Sequence, residues 1–243
     1  MKGVLICGGT GSRLRPLTDI TNKSLLPVYD RPLISCPLQT LLDAGIKDIV
    51  VVTGPEHMEQ ITAFLGDGKK FGCTFHFRTQ EKPGGIAQAL SLAEQHCLGE
   101  NVCAILGDNV YADDLTPAIK NFKKGAHVFL KEVEDPERFG VAEVGHGTWD
   151  MGHGKTKILS IEEKPQSPKS NLAVTGCYLY DHRCFDVIKH LKPSARGELE
   201  ITDVSRWYLD QGELTATLLK KDWIDAGTFE SLYRAATLIK ERC

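Results

Sequence analysis

The sequence predicts an α/β protein built on a Rossmann-like, doubly wound mixed sheet, and three observations carry that expectation. Short continuous apolar runs, KGVLIC, DIVVVT and NVCAIL, fit parallel strands buried on both faces. Helix-length segments alternate with them. The first run stops at Gly8 and Gly9 and continues into a glycine-rich turn, a strand-to-helix device suited to anions.

Taken in order, KGVLIC is the first strand, and Leu33 to Ala44 reads as a helix closed by Gly45. DIVVVT is a strand, His57 to Leu65 a helix, and CTFHFRT alternates as a strand does. Ile86 to Cys97 reads as a helix, and NVCAIL is a buried strand ending in Gly107-Asp108-Asn109. After Ala126 the texture changes. AHVFLKEV, GVAEV, KTKILSIEE and NLAVTGCYLY are strand-like runs separated by turns such as GHGTWDMGHG and PQSPKS, as in an inserted antiparallel or mixed lobe. Helices return at about 182–191 and 198–211, with Glu198-Leu199-Glu200 near the start of the second, where acidic residues are favoured. A strand at 214–220, the segment Asp222 to Gly227 and a helix from Thr228 to about Arg242 complete the pattern. Without repeats or linkers, residues 1–243 are expected to form one domain. About 1–125 would bind nucleotide, and about 126–243 would form the acceptor part and closing helices.

Composition narrows the partners. Apolar residues make up 42% and charged residues 25%, ordinary for a globular chain. A formal charge of −3 offers no basic excess for a nucleic-acid backbone, and no apolar run approaches a bilayer's span. The opening MKGVLICGG is no signal peptide, so a cytoplasmic location is expected. The eight cysteines form no C-x-x-C pair and mostly sit in apolar runs, which predicts reduced, buried thiols, with Cys243 the most exposed. The histidines, among them His57, His127, His146 and His153, show no metal spacing.

The segment Gly8-Gly9-Thr10-Gly11-Ser12-Arg13-Leu14-Arg15-Pro16 permits three readings. A dinucleotide loop would need a third glycine where Leu14 stands, and a Walker loop would need Gly-Lys-Ser/Thr. A tight turn with a solvated Arg pair is the third. Two arginines and Lys23 downstream favour a triphosphate cradle, because Arg grips phosphate bidentately. Asp108 lies at the end of a buried strand, where open α/β sheets bind ligands, and Asp225 precedes the last helix. Either could be a plain cap or turn residue, or a hard-oxygen ligand for Mg²⁺. Glu163 and Lys164 would point to opposite faces of a strand unless a turn intervenes, which Pro165 would permit. Arg196 reads by default as a surface turn residue. Gln80, ahead of the Gly84-Gly85 turn, presents a donor and an acceptor matching the O4/N3 edge of thymine or uracil.

Order and spacing make a resemblance specific. Gly8-Gly9-x-Gly11-x-Arg13-x-x-Pro16-x-Thr18, followed by Lys23-x-x-Leu26-Pro27, resembles the signature of the sugar-nucleotide pyrophosphorylase family of nucleotidyltransferases. The stretches 22–32, 107–111, 135–141, 162–165, 196–203 and 223–228 follow in that family's order and are most similar to its thymidylyl-transferring branch. The resemblance implies a nucleotidyltransferase fold and transfer of a nucleotidyl group from dTTP to glucose 1-phosphate, without a covalent intermediate. It implies that Gly8, Gly9, Gly11, Arg13, Lys23, Gln80, Gly85 and Asp108 hold the nucleotide, and that Asp108 and Asp225 hold Mg²⁺. It further implies that Gly140, Glu163, Lys164, Tyr178 and Arg196 hold the sugar phosphate, with Arg13, Lys23 and Lys164 acting on the reacting phosphates. UTP is the alternative donor, making UDP-glucose or a related sugar. A nucleotide-sugar-binding regulatory protein is the alternative outside catalysis, and a dehydrogenase is disfavoured by Leu14.

Four departures accompany the likeness. Ser24 stands where many members carry Gln, Glu81-Lys82-Pro83-Gly84-Gly85 replaces a Pro-x-Pro-Asp-Gly loop, and the turn from Trp149 to Gly154 is longer. Longer members continue into C-terminal helices that build an allosteric site. For a chain ending at Cys243 that feedback and the usual tetramer are left open, as is a homo-oligomer.

Overall fold

A computed structural model describes residues 1–9, 11–145 and 157–242. The expected sheet is present. β1 (Lys2–Ile6), β4 (Asp48–Thr53), β5 (Thr74–Thr79) and β6 (Val102–Leu106) run parallel, in the order β6-β1-β4-β5. The side chains of β1, β4 and β6 are almost wholly enclosed, because helices cover both faces, whereas the edge strand β5 is mostly half-buried. On one face lie α1 (Ser35–Asp43) and α2 (Met58–Leu65), among the apolar partners of Leu5, Val51 and Ile105. On the other, α3 (Ile86–Ser91), α5 (Cys184–His190) and α6 (Ile201–Asp210) pack against Val4, Val52 and Ala104. The alternating assignment of β1 residues to two cores is the pleat itself.

The antiparallel part is a direct continuation of this sheet. β11 (Leu172–Tyr180) pairs antiparallel with β6 through Cys177–Tyr180 and with β9 (Gly140–Val144) through Ala173 and Val174. Its other edge pairs with β8 (Ala126–Glu132), across a register shift between Val174 and Tyr178. β10 (Ile158–Glu163) extends β9, and β12 (Leu214–Leu218) runs parallel to β8. All nine β11 residues are buried, which explains its unbroken apolar texture.

Several expected helices are shorter than their apolar runs. The 57–65 and 86–97 segments each give one turn to a 3-10 helix, Pro55–His57 and Glu94–His96, flanking α2 and α3. The helix expected from 198 begins at Ile201, with Glu200 at its N-cap. The acidic residues before it serve an arginine, described below. Three small elements carried too little periodicity to be foreseen: the hairpin β2 (Pro27–Val28) and β3 (Arg31–Pro32), β7 (Asn109–Tyr111) and α4 (Thr116–Asn121). β7 pairs antiparallel with β13 (Trp223–Asp225), and α7 (Phe229–Arg242) then packs Ala235 and Ile239 against Val28, Leu33, Val110 and Ile224.

Cys7, Cys73, Cys97, Cys103, Cys177 and Cys184 are buried free thiols and Cys36 is half-buried, as the composition suggested. His127 lies between Thr215 and Thr217 of β12 at 2.8 and 3.0 Å. The long turn at 149–154, His146, His153 and Cys243 lie outside the described residues. Among the described residues, no helix is long and apolar enough to cross a membrane.

Candidate active site

β1 delivers its C-terminal end to the centre of the site. Gly9 and Gly11 have φ of 95° and 59°, left-handed values that let the chain fold back over the strand end. Thr18 locks the loop by donating its hydroxyl to the Gly11 carbonyl at 2.8 Å. The 3-10 turn Ser12–Leu14 buries Leu14, so the residue that replaces a third glycine is a core anchor, and it leaves Arg13 exposed. A second 3-10 turn, Lys23–Leu25, is capped by Asn22, which accepts from Ser24 N at 2.8 Å and donates to the Cys7 carbonyl at 3.1 Å. That clasp fixes Lys23 against the strand end. Ser24 is 2% exposed, and its hydroxyl lies beside Cys7 and Gly107, so the departure from Gln falls in the core.

β6 and β13 bring two carboxylates to the same place. Asp108 follows β6, and Asp225 sits opposite Asn109 in the β7–β13 pair, with Ala226 N donating to the Asp108 carbonyl at 3.0 Å. Lys23 forms an ion pair with Asp108. Arg13 approaches Asp225 over Gly227, where an added Cβ would lie 2.8 Å from Arg13 Nη2 and 3.2 Å from Asp225 Oδ1. Electrostatics separates the two acids. Burial alone would raise Asp108, but the Lys23 ammonium and the hydrogen bonds from Lys23 and Asn109 outweigh it and hold this carboxyl below its ordinary value. Asp225 is pushed up to about 7, first by burial and then by the negative Asp108 beside it. Burial would likewise lower Lys23, yet Asp108 and Asp225 raise it, so it stays charged.

Beside the glycine loop, Gln80 is 7% exposed and follows β5. Its Oε1 faces Gly8, where a Cβ would sit 2.7 Å away, and its Nε2 donates to the Gly85 carbonyl at 3.2 Å and to Gln88 Oε1 at 2.6 Å. Both of its donors are therefore spent inside the protein, so it offers an acceptor alone, not the donor-acceptor pair expected from its chemistry. Gly85, at φ 96°, lies against the Leu199 backbone, and Leu199 N donates to the Gly84 carbonyl at 2.8 Å.

The remaining predicted residues gather at the end of β10. Glu163 closes that strand and Lys164 takes φ 43°, a left-handed value unusual for a lysine, with its N–H held by the Phe139 carbonyl at 2.9 Å. The turn puts Lys164 Nζ 3.8 Å from Glu163 Oε1, on one side instead of two. Glu163 also accepts from Thr202 Oγ1 at 2.5 Å and Arg196 Nη2 at 3.3 Å. Gly140 leaves room there, since a Cβ would lie 3.0 Å from Thr202 Oγ1. Arg196 stays exposed, as its turn suggested, yet it is bracketed by Glu163, Glu198 and Glu200 at 3.3, 3.2 and 2.8 Å. Tyr178 is 5% exposed and its phenol is held well above its usual value, chiefly by burial and to lesser degrees by Tyr180, Glu163, Cys177 and Asp108.

A model described as nucleotidyl transferase matches residues 2–242. The chain belongs to the nucleotidyl transferase family. Among curated members, a glucose-1-phosphate thymidylyltransferase of Neisseria meningitidis serogroup A is 46% identical over 99% of this chain and 83% of its own length. One of Mycobacterium tuberculosis is 41% identical over 99% and 82%. A solved nucleotidyl transferase from Bacillus anthracis, provisionally named glucose-1-phosphate thymidylyltransferase and bound to sucrose, is 50% identical with a TM-score of 0.91, covering 99% of this chain and 96% of that one. A UDP-glucose pyrophosphorylase bound to UDP-glucose has a TM-score of 0.87 at 24% identity, covering 100% and 99%, and shares the fold.

Four further residues shape this nucleotidyl transferase site. Asn109 is 1% exposed. It donates to Asp108 at 2.9 Å and accepts from Gly176 N at 3.1 Å and Trp223 Nε1 at 2.6 Å, tying β6, β11 and β13 into one knot. Thr202 and Glu200 hold Glu163 and Arg196, and Gln88 holds Gln80. The first three lie within the motif stretches that carry the family likeness. Gln88 had no such signal.

Proposed function

We propose that the chain transfers the thymidylyl group of dTTP to glucose 1-phosphate, giving dTDP-glucose and pyrophosphate. The observation that carries this reading is the division of the cations. Arg13 and Lys23 gather at the Asp108–Asp225 pair, while Lys164 and Arg196 gather at Glu163. Two cation pairs suit two phosphate-bearing substrates, and the names of the 40–46% identical relatives supply their identity.

The acidic pair fits a divalent cation such as Mg²⁺. Its donors are hard carboxylate oxygens brought together by the β7–β13 pairing, with Asp108 adding to burial in raising Asp225. Bound there, the ion would neutralise phosphate charge. In the reading proposed, Arg13 and Lys23 grip the triphosphate and Lys164 and Arg196 orient the acceptor. The acceptor phosphate is an anion at neutral pH, so it attacks the α-phosphorus in line without a general base. The protein's task is positioning and charge stabilisation of two polyanions. Gly140, Glu163 and Tyr178 shape the sugar pocket, and the chain divides by role near residue 125.

A matrix of nucleoside triphosphates against sugar 1-phosphates, with Mg²⁺ or EDTA, tests the reading by pyrophosphate release. The dTTP and glucose 1-phosphate cell is expected to be highest, with EDTA silencing it. Silence in every cell would overturn the reading in favour of a regulatory homologue, and a maximum with UTP would replace the base alone. Lys164→Ala is expected to lower kcat by roughly 10²–10³-fold, as for a lost oxyanion donor, and near-normal turnover at saturation would remove Lys164 from the mechanism.

A further inference from the structure

We propose that Gln88 is a positioning residue that makes the nucleotide site read an imide N–H, selecting thymine and uracil against cytosine. The proposal rests on the assignment of Gln80 to the base. A backbone carbonyl can only accept, so the end of the Gln80 amide that meets the Gly85 oxygen at 3.2 Å must be its NH₂. The second N–H of that group meets Gln88 at 2.6 Å, and Gln88 must therefore turn its Oε1 toward it. With both donors consumed, Gln80 retains only Oε1, and this oxygen faces the glycine loop at Gly8, where an added Cβ would stand 2.7 Å from it. The group left to meet a base is thus an acceptor without a donor.

Set opposite N3 of the base, that polarity sorts pyrimidines. N3 of thymine and uracil carries a hydrogen and satisfies the acceptor, whereas N3 of cytosine is itself an acceptor and would leave two lone pairs opposed. A site built around a substrate N–H rejects the analogue lacking it far more strongly than a pocket rejects one methyl group. Gln88 enforces the orientation by its place on α3, one turn after Gly84-Gly85. Its stem packs under Gly84, where a Cβ would lie 3.2 Å from Gln88 Cγ.

Steady-state turnover and calorimetric binding of dTTP, dUTP and dCTP, three deoxynucleotides differing only in the base, test this in the wild type, Gln88→Met and Gln88→Glu. The wild type is expected to prefer dTTP over dCTP by about 10⁴-fold in kcat/KM, and dTTP over dUTP by only about 10-fold. Gln88→Met removes the acceptor at similar volume. It is expected to raise KM for dTTP about 10-fold with kcat within about 3-fold, and to cut discrimination against dCTP at least tenfold. Gln88→Glu still accepts from Gln80 and is expected to keep the dCTP discrimination. Unchanged discrimination in Gln88→Met, lost discrimination in Gln88→Glu, or a wild type that accepts dCTP would each overturn the assignment. Absence of both dTTP binding and turnover in the wild type would overturn the reading of the site beneath it.

Discussion

Burial and the neighbouring Asp108 make Asp225 costly to ionise in the folded chain. Its carboxyl is pushed up to about 7 by burial and by Asp108, from an ordinary value near 4. A folded-state pKa above the unfolded one contributes stability that is complete below pH 4 and is lost as pH rises toward 7. The metal-free protein should therefore lose stability over pH 4–7, and Mg²⁺ should stabilise it more at pH 8 than at pH 5. Asp225→Asn should show both sides of the trade. Metal-free thermal stability at pH 8 is expected to rise by about 1–3 kcal/mol while turnover falls below a hundredth of wild type. Scanning calorimetry with and without Mg²⁺ checks it, and a variant destabilised at pH 8 would show that the two acids do not repel.

The motif residues were readable from the chain; how they are held was not. Arg13, Lys23, Asp108, Lys164, Arg196 and Asp225 stand in ordered motifs. The partners of Asn109 at Gly176 and Trp223 are 67 and 114 residues away, and no local pattern reports such contacts. For Lys164, Pro165 signalled the strand's end, but the left-handed turn needed the Phe139 carbonyl to hold it.

Among the elements, the turn between β5 and α3 joins Gln80 to the segment that carries Arg196. Leu199 accepts from Ala87 N at 3.2 Å and donates to the Gly84 carbonyl at 2.8 Å, three residues from Arg196 and one from Glu200. Gly85→Ala would combine a positive φ with a Cβ driven into the Leu199 carbonyl. A loss of about 2–4 kcal/mol is expected. KM should rise for both substrates, because the displaced backbone serves Gln80 on one side and leads to Arg196 on the other. Denaturant unfolding and initial-rate kinetics read the two effects, and a change confined to dTTP would show that the turn does not couple them. The buried strands β1, β4 and β6 were evident as apolar runs. Short elements such as β7 and β13 were not, because three residues carry no periodicity and exist only by pairing with each other.

At the scale of the whole molecule, β11 makes one sheet from two textures, carrying β6 on one stretch and β8 and β9 on others. A ligand that bridges β1, β6 and β13 should stabilise the domain as a unit. At about 100 times its Kd, dTTP with Mg²⁺ should add about 2.7 kcal/mol, a rise in Tm of roughly 5–10 °C for a chain of this size. Differential scanning fluorimetry tests this, and two separate transitions would mean that the halves melt independently.

By itself the sequence determined the parallel core, the order of the motifs and the chemical kind of each site residue. Burial on both faces leaves an apolar run, glycine marks a turn, and charge in a motif needs no neighbour to be recognised. The tertiary structure alone decided the electrical state of Asp108 and Asp225, the acidic partners of Arg196 and the direction in which Gln80 presents its amide. Each of these depends on distances between groups far apart in the chain, and electrostatic and hydrogen-bond energies follow distance and orientation in space rather than position in sequence.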